Sequence, residues 1–110
     1  MPRTHKLVHE SEFADMITQL VNLLGIQLVA IIGNETQDST PQNEPTLRFA
    51  LQLAIIITRD QTRSPRVAQA WFQGSNPILG YESPAMVLRN GRLNGIRPKL
   101  INAAQSFTGN

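Results

Sequence analysis

Two dipeptides, Ser64-Pro65 and Ser83-Pro84, open similar segments in the second half of the chain, and Gly74 and Gly91 close them. A serine hydroxyl can accept a hydrogen bond from the free N–H groups at a helix start, and proline in the first helical position is preset at the φ the helix requires. Glycine just past the last periodic residue is the matching stop. The pattern predicts two short helices, one with Val67, Ala68, Trp71 and Phe72 on one side and one with Val87 and Leu88. Between them SNPILGYE reads as a turn, because Asn76 before Pro77 is pushed away from helical angles and Gly80 accepts positive φ. Helices this short cannot bury much alone, so the rest of the chain must pack on them.

The remaining segments point the same way. Phe13, Met16, Ile17, Leu20, Val21 and Leu24 fall at helical spacing, with Ser11 as a cap and Gly25 as a stop. Residues 26–32, IQLVAII, are bounded by glycines and are too short for period to separate a buried strand from a buried helix; helix is favoured because no partner strand is near. Residues 34–44 form the strongest loop composition in the chain. Pro45 suits a first helical turn, and LRFALQLAIIIT follows as the candidate central helix, apolar nearly all round. A last helix is expected to start between Ile96 and Pro98, its stripe formed by Ile96, Leu100, Ala103, Ala104 and Phe107. The fold class is therefore all-α: a compact helical bundle of five to six helices. The chain divides into a flexible arm at 1–10, an N-terminal helical part at 11–62 and a C-terminal part at 63–110.

At 110 residues one domain and one core are expected. The net charge is only +2, so the pI near 9.7 is not by itself a nucleic-acid signature, although Arg59, Arg63, Arg66, Arg89, Arg92, Arg97 and Lys99 make the second half locally basic. The chain has no cysteine, which removes disulfides and thiolate metal sites, and no apolar run or leader points to a membrane or to export; a cytoplasmic location is expected.

Chemistry is hard to assemble from these residues. The glycines at 74, 80, 91 and 95 stand at helix ends rather than in a phosphate loop. His5 and His9 are four apart, but as solvated arm residues they are not expected to hold a metal. No Ser-His-acid set can be built, and Glu35, Asp38 and Glu44 lack the apolar walls that would raise a carboxylate pKa. A binding protein is expected rather than an enzyme, with no cofactor.

The run Trp71, Asn76-Pro77, Leu79-Gly80, Ser83-Pro84, Leu88 and Gly91 resembles the C-terminal toxin-binding domain of the Xre/MbcA/ParS antitoxin family. The resemblance extends over residues 65–107, with AQAWFQGSNPIL and ESPAMVLRNG as its most specific pieces. It implies an antitoxin that neutralises a RES-domain toxin, an NAD-degrading enzyme, by occluding its cleft with the C-terminal helix; the NAD would belong to the toxin. The contact residues it implies are Arg97, Lys99, Asn102, Gln105, Ser106, Thr108, Gly109 and Asn110. Trp71 and Phe72 read either as core anchors or as an aromatic hot spot at that interface.

The family's N-terminal part is a helix-turn-helix of the Xre kind, and IQLVAIIGN is similar to its first helix and turn. Here the chain passes from Asn34 through a polar loop to Pro41 and Pro45, where the family has a recognition helix. That departure counts against DNA binding, because base edges are read from a rigid element bearing Arg, Asn or Gln. Two rival readings remain beside the antitoxin: a DNA-binding autoregulator, and a helical homo-oligomeric assembly module. The hydrophobicity of residues 47–57 and of the first helix together leads to the expectation that the antitoxin is a dimer or larger assembly.

Overall fold

The computed structural model describes residues 2–33, 44–59 and 64–109, with the backbone alone for residues 2–11. These residues form six α-helices and a 3-10 turn: α1 (Pro2–Leu24), α2 (Ile26–Gly33), α3 (Glu44–Thr58), α4 (Pro65–Gln73), the turn at Pro77–Leu79, α5 (Pro84–Asn90) and α6 (Leu93–Phe107). No strand occurs among them, so the chain is an all-α bundle and the ambiguous 26–32 segment is helical. The expected loop at 34–44 lies outside the described residues up to position 43, and Glu44 already belongs to α3, where it pairs with Arg48 one turn on at 2.7 Å.

One boundary differs from expectation. Residues 2–10, expected as an arm, have helical backbone, and Ser11 lies inside α1 rather than capping it. Pro2 is compatible with a first helical turn, and no glycine or further proline interrupts the chain before Gly25, so nothing local stops the helix from running back to its beginning.

Gly25 does stop it. At φ +87 it occupies the left-handed region, its N–H donates to the Val21 carbonyl at 2.8 Å, and its own carbonyl accepts from Val29 N–H at 3.1 Å. One residue thus ends α1 and starts α2, and the two axes turn by 119°.

The core forms around α3, which packs against α1, α2, α4 and α6. Leu47, Phe49, Ala50, Leu53, Ala54 and Ile57 are buried on several sides of this helix, leaving Ile55 exposed. Its nearly all-round apolar pattern is therefore answered largely within one chain. From α1, Met16, Leu20 and Leu24 enter at four-residue spacing, and Leu28, Val29 and Ile32 enter from α2. Each buried large aliphatic side chain contributes on the order of 1.5–3 kcal/mol. Ala50 and Ala54 on α3, with Ala103 and Ala104 on α6, are all but fully buried, and such small side chains permit close approach of helices.

Two long-range hydrogen bonds tie the halves of the chain together. Gln69 on α4 donates its side-chain N–H to the Leu23 carbonyl at 3.2 Å, and Arg89 on α5 donates to the Ile31 carbonyl at 3.0 Å. Both acceptors are last-turn carbonyls of α1 and α2 that have no partner within their own helix. Arg89 also places a positive charge at the negative end of the α2 dipole.

Candidate protein-binding surface

The link between α4 and α5 is a closed loop held by its own backbone. Asn76 caps the 3-10 turn, its side-chain oxygen accepting from Ile78 N–H at 3.0 Å, and its backbone N–H donates to Glu82 O at 3.1 Å. Tyr81 N–H returns to Asn76 O at 2.8 Å, and the Ser75 hydroxyl donates to Tyr81 O at 2.9 Å. Gly80 follows Leu79 at φ +68, as its position in the turn requires. Tyr81 takes the same φ of +68 although it carries a side chain.

The two Ser-Pro starts do not behave alike. Both prolines open their helices, and Ser83 Oγ accepts from Met86 N–H at 3.2 Å. Ser64, expected to cap in the same way, makes no side-chain cap bond and lies exposed; its backbone carbonyl accepts from Val67 N–H instead. Sequence shows the residue type at a cap but not the rotamer.

The motif residues serve the core. Phe72 is fully buried and Trp71 is 6% exposed, their rings meeting edge to face with centroids 5.0 Å apart. Of the two readings of this pair, the burial matches that of core anchors. Trp71 Nε1 is buried without a hydrogen-bond partner among the described residues, which nothing in the sequence signals. Leu79 is half-buried against the core, Pro84 and Leu88 are buried, and Pro77 lies outside on the loop. Gly91 closes α5 in an extended conformation at φ −89, so freedom of φ is not what it supplies. A Cβ there would lie 2.6 Å from Ile96 Cγ2 and 2.7 Å from Val87 O.

That contact is part of how α6 begins. Its start falls at Leu93, earlier than the expected Ile96–Pro98, and Pro98 lies inside the helix. The Arg92 carbonyl accepts from both Gly95 and Ile96 N–H, at 3.0 and 3.1 Å, and Leu93 and Ile96 pack against the core. Early packing outweighs the one bond that Pro98 removes, and the exposure of Asn94 leaves water to serve the freed carbonyl.

Leu100, Ala103 and Ala104 form the buried side of α6. Lys99, Asn102 and Ser106 recur at three- and four-residue spacing on its exposed side, with Gln105 beside them. Four of the expected contact residues thus share one solvent-facing strip. The others do not join it. Arg97 is exposed but sits over the ring of buried Phe49, 5.4 Å from its centroid. Thr108 ends the helix, its N–H donating to Ala104 O at 3.1 Å and its hydroxyl to Gln105 O at 2.9 Å. Gly109, at φ +82, is the terminator, and Asn110 lies outside the described residues.

Residues 64–109 carry five cations and a single carboxylate, Glu82. Arg89 and Arg97 are engaged internally, whereas Arg66, Arg92 and Lys99 are exposed and hold no partner among the described residues. Ile78, Tyr81, Met86 and Phe107 add exposed apolar surface to this half. Among the described residues no group of His, Asp and Glu is placed to hold a metal, and no single helix is long and apolar enough to cross a membrane. Comparison with family models, curated proteins and solved structures finds no match to the chain.

Proposed function

We propose that the chain is an antitoxin-like binding protein that neutralises a RES-type, NAD-degrading toxin by covering its active-site cleft. The observation that carries this reading is the exposed strip of Lys99, Asn102, Gln105 and Ser106 on α6, standing in a helical module that keeps unpaired cations at its surface. The resemblance of Trp71, Asn76-Pro77, Leu79-Gly80, Ser83-Pro84, Leu88 and Gly91 to the toxin-binding domain supplies the identity of the partner. Amide and hydroxyl groups on a rigid helix suit a partner site that is polar and solvent-filled when empty, and Lys99 suits a carboxylate at its edge. On this reading the chain acts by occlusion and not by chemistry of its own.

Co-expression with a RES-domain toxin tests the proposal. Relief of growth arrest, restored cellular NAD and co-purification of the two chains are the expected results. Persistent toxicity without co-purification would end this reading. A stable homo-oligomer that ignores the toxin would favour the assembly module, and salt-sensitive binding to the promoter would favour the autoregulator.

A further inference from the structure

The chain holds two Asn-Gly pairs, Asn90-Gly91 at the end of α5 and Asn94-Gly95 at the start of α6. In such a pair the glycine backbone nitrogen, once deprotonated, attacks the asparagine side-chain carbonyl carbon; a C–N bond closes a succinimide ring and ammonia leaves. Water then opens the ring at either carbonyl, giving aspartate or isoaspartate. Glycine favours the step because it has no side chain to obstruct the nitrogen and its backbone turns freely. All four residues are exposed, so water and hydroxide reach both pairs alike. The backbone discriminates between them.

Ring closure requires the glycine nitrogen to leave its own hydrogen bond and swing toward the preceding side chain. Gly91 N–H is held by Val87 O at 2.8 Å in the bond that ends α5, and Ile96 Cγ2 and Val87 O fill the space where a Cβ would stand. Gly91 therefore moves only when Ile96 gives up its place against the core. Gly95 lies in the first turn of α6, where its N–H donates to Arg92 O at 3.0 Å, an acceptor shared with Ile96 N–H, and no atom lies within 4 Å of its Cβ position. A first turn frays at much lower cost than a packed junction opens.

We infer that Asn94 is a site of spontaneous deamidation in the folded protein and that Asn90, in the same dipeptide, is shielded. The two products act differently on α6. Aspartate at position 94 puts a carboxylate in the first turn, at the positive end of the helix, and lowers the net charge of +2 by one unit. Isoaspartate routes the main chain through the side-chain carbon, which lengthens the backbone and breaks the register of Arg92 O with Gly95 and Ile96 N–H. Either product changes the start of the helix that carries Lys99, Asn102, Gln105 and Ser106.

The test holds the full chain in mildly alkaline buffer, folded and in urea, and follows both asparagines over days by tandem mass spectrometry, with isoaspartate read by isoaspartyl methyltransferase labelling. In the folded chain Asn94 is expected to convert at least ~10-fold faster than Asn90, and in urea the two rates are expected to agree within ~3-fold. Asn94→Gln should remove the acidic species that ion exchange resolves, and Gly95→Ala should slow its appearance at least ~10-fold. An Asn94 that stays intact in the folded chain, or one that Asn90 matches there, overturns the inference.

Discussion

Replacing Gly91 by alanine isolates one steric contact. Its φ of −89 is open to any residue, so the substitution carries no conformational penalty. The added Cβ would stand 2.6 Å from Ile96 Cγ2 and 2.7 Å from Val87 O, short of ordinary contact by about 0.7–0.8 Å. Ile96 could turn aside, but the Val87 carbonyl accepts the hydrogen bond from Gly91's own N–H at 2.8 Å, so backing away from it stretches the bond that ends α5. Overpacking of this kind costs about 1–3 kcal/mol. Gly95 is the internal control: it lies in the first turn of α6 with no atom within 4 Å of its Cβ position, and Gly95→Ala should gain up to about 1 kcal/mol from helix propensity. Urea unfolding, followed by circular dichroism and Trp71 fluorescence, reads both variants. The slope should stay at the wild-type value while the midpoint falls for Gly91→Ala and rises for Gly95→Ala. A Gly91→Ala midpoint equal to wild type would refute the close approach of Ile96 to the end of α5.

The two Ser-Pro helix starts give a matched pair: Ser83→Ala should lose about 1 kcal/mol with its bond to Met86 N–H, and Ser64→Ala only a few tenths, measured by the same unfolding curves. Arg89→Ala should lose about 1 kcal/mol and raise amide exchange over the last turn of α2, because it frees the Ile31 carbonyl; protection equal to wild type would remove the proposed tie between the halves. Lys99→Glu, exposed on α6, should leave the unfolding midpoint nearly unchanged and, on the proposed antitoxin-like reading, weaken binding to a RES-domain toxin ~10-fold at low salt, with less effect at high salt. Equal affinities for Lys99→Glu and wild type at low salt would separate the α6 strip from the interface.

Local chemistry decided where this chain turns. Gly25, Pro65, Pro84 and the Asn76-Pro77 turn act through their own backbone preferences, so helix ends near them could be read without knowing what packs where. The spacing of Met16, Leu20 and Leu24, and the all-round apolarity of α3, named the buried residues for the same reason: side-chain direction follows from helix period. Tertiary packing decided the rest. Pro98 is tolerated inside α6 because Leu93 and Ile96 find the core ahead of it, and Gly91 is required by Ile96 rather than by its own φ. Gln69 and Arg89 reach carbonyls 46 and 58 residues away, a pairing no local pattern encodes. The same contacts sorted the expected binding residues: Phe49 drew Arg97 onto the bundle, helix termination used Thr108 and Gly109, and Lys99, Asn102, Gln105 and Ser106 were left facing water. Sequence fixes what a side chain can do, but its availability to a partner depends on which neighbours reach it first.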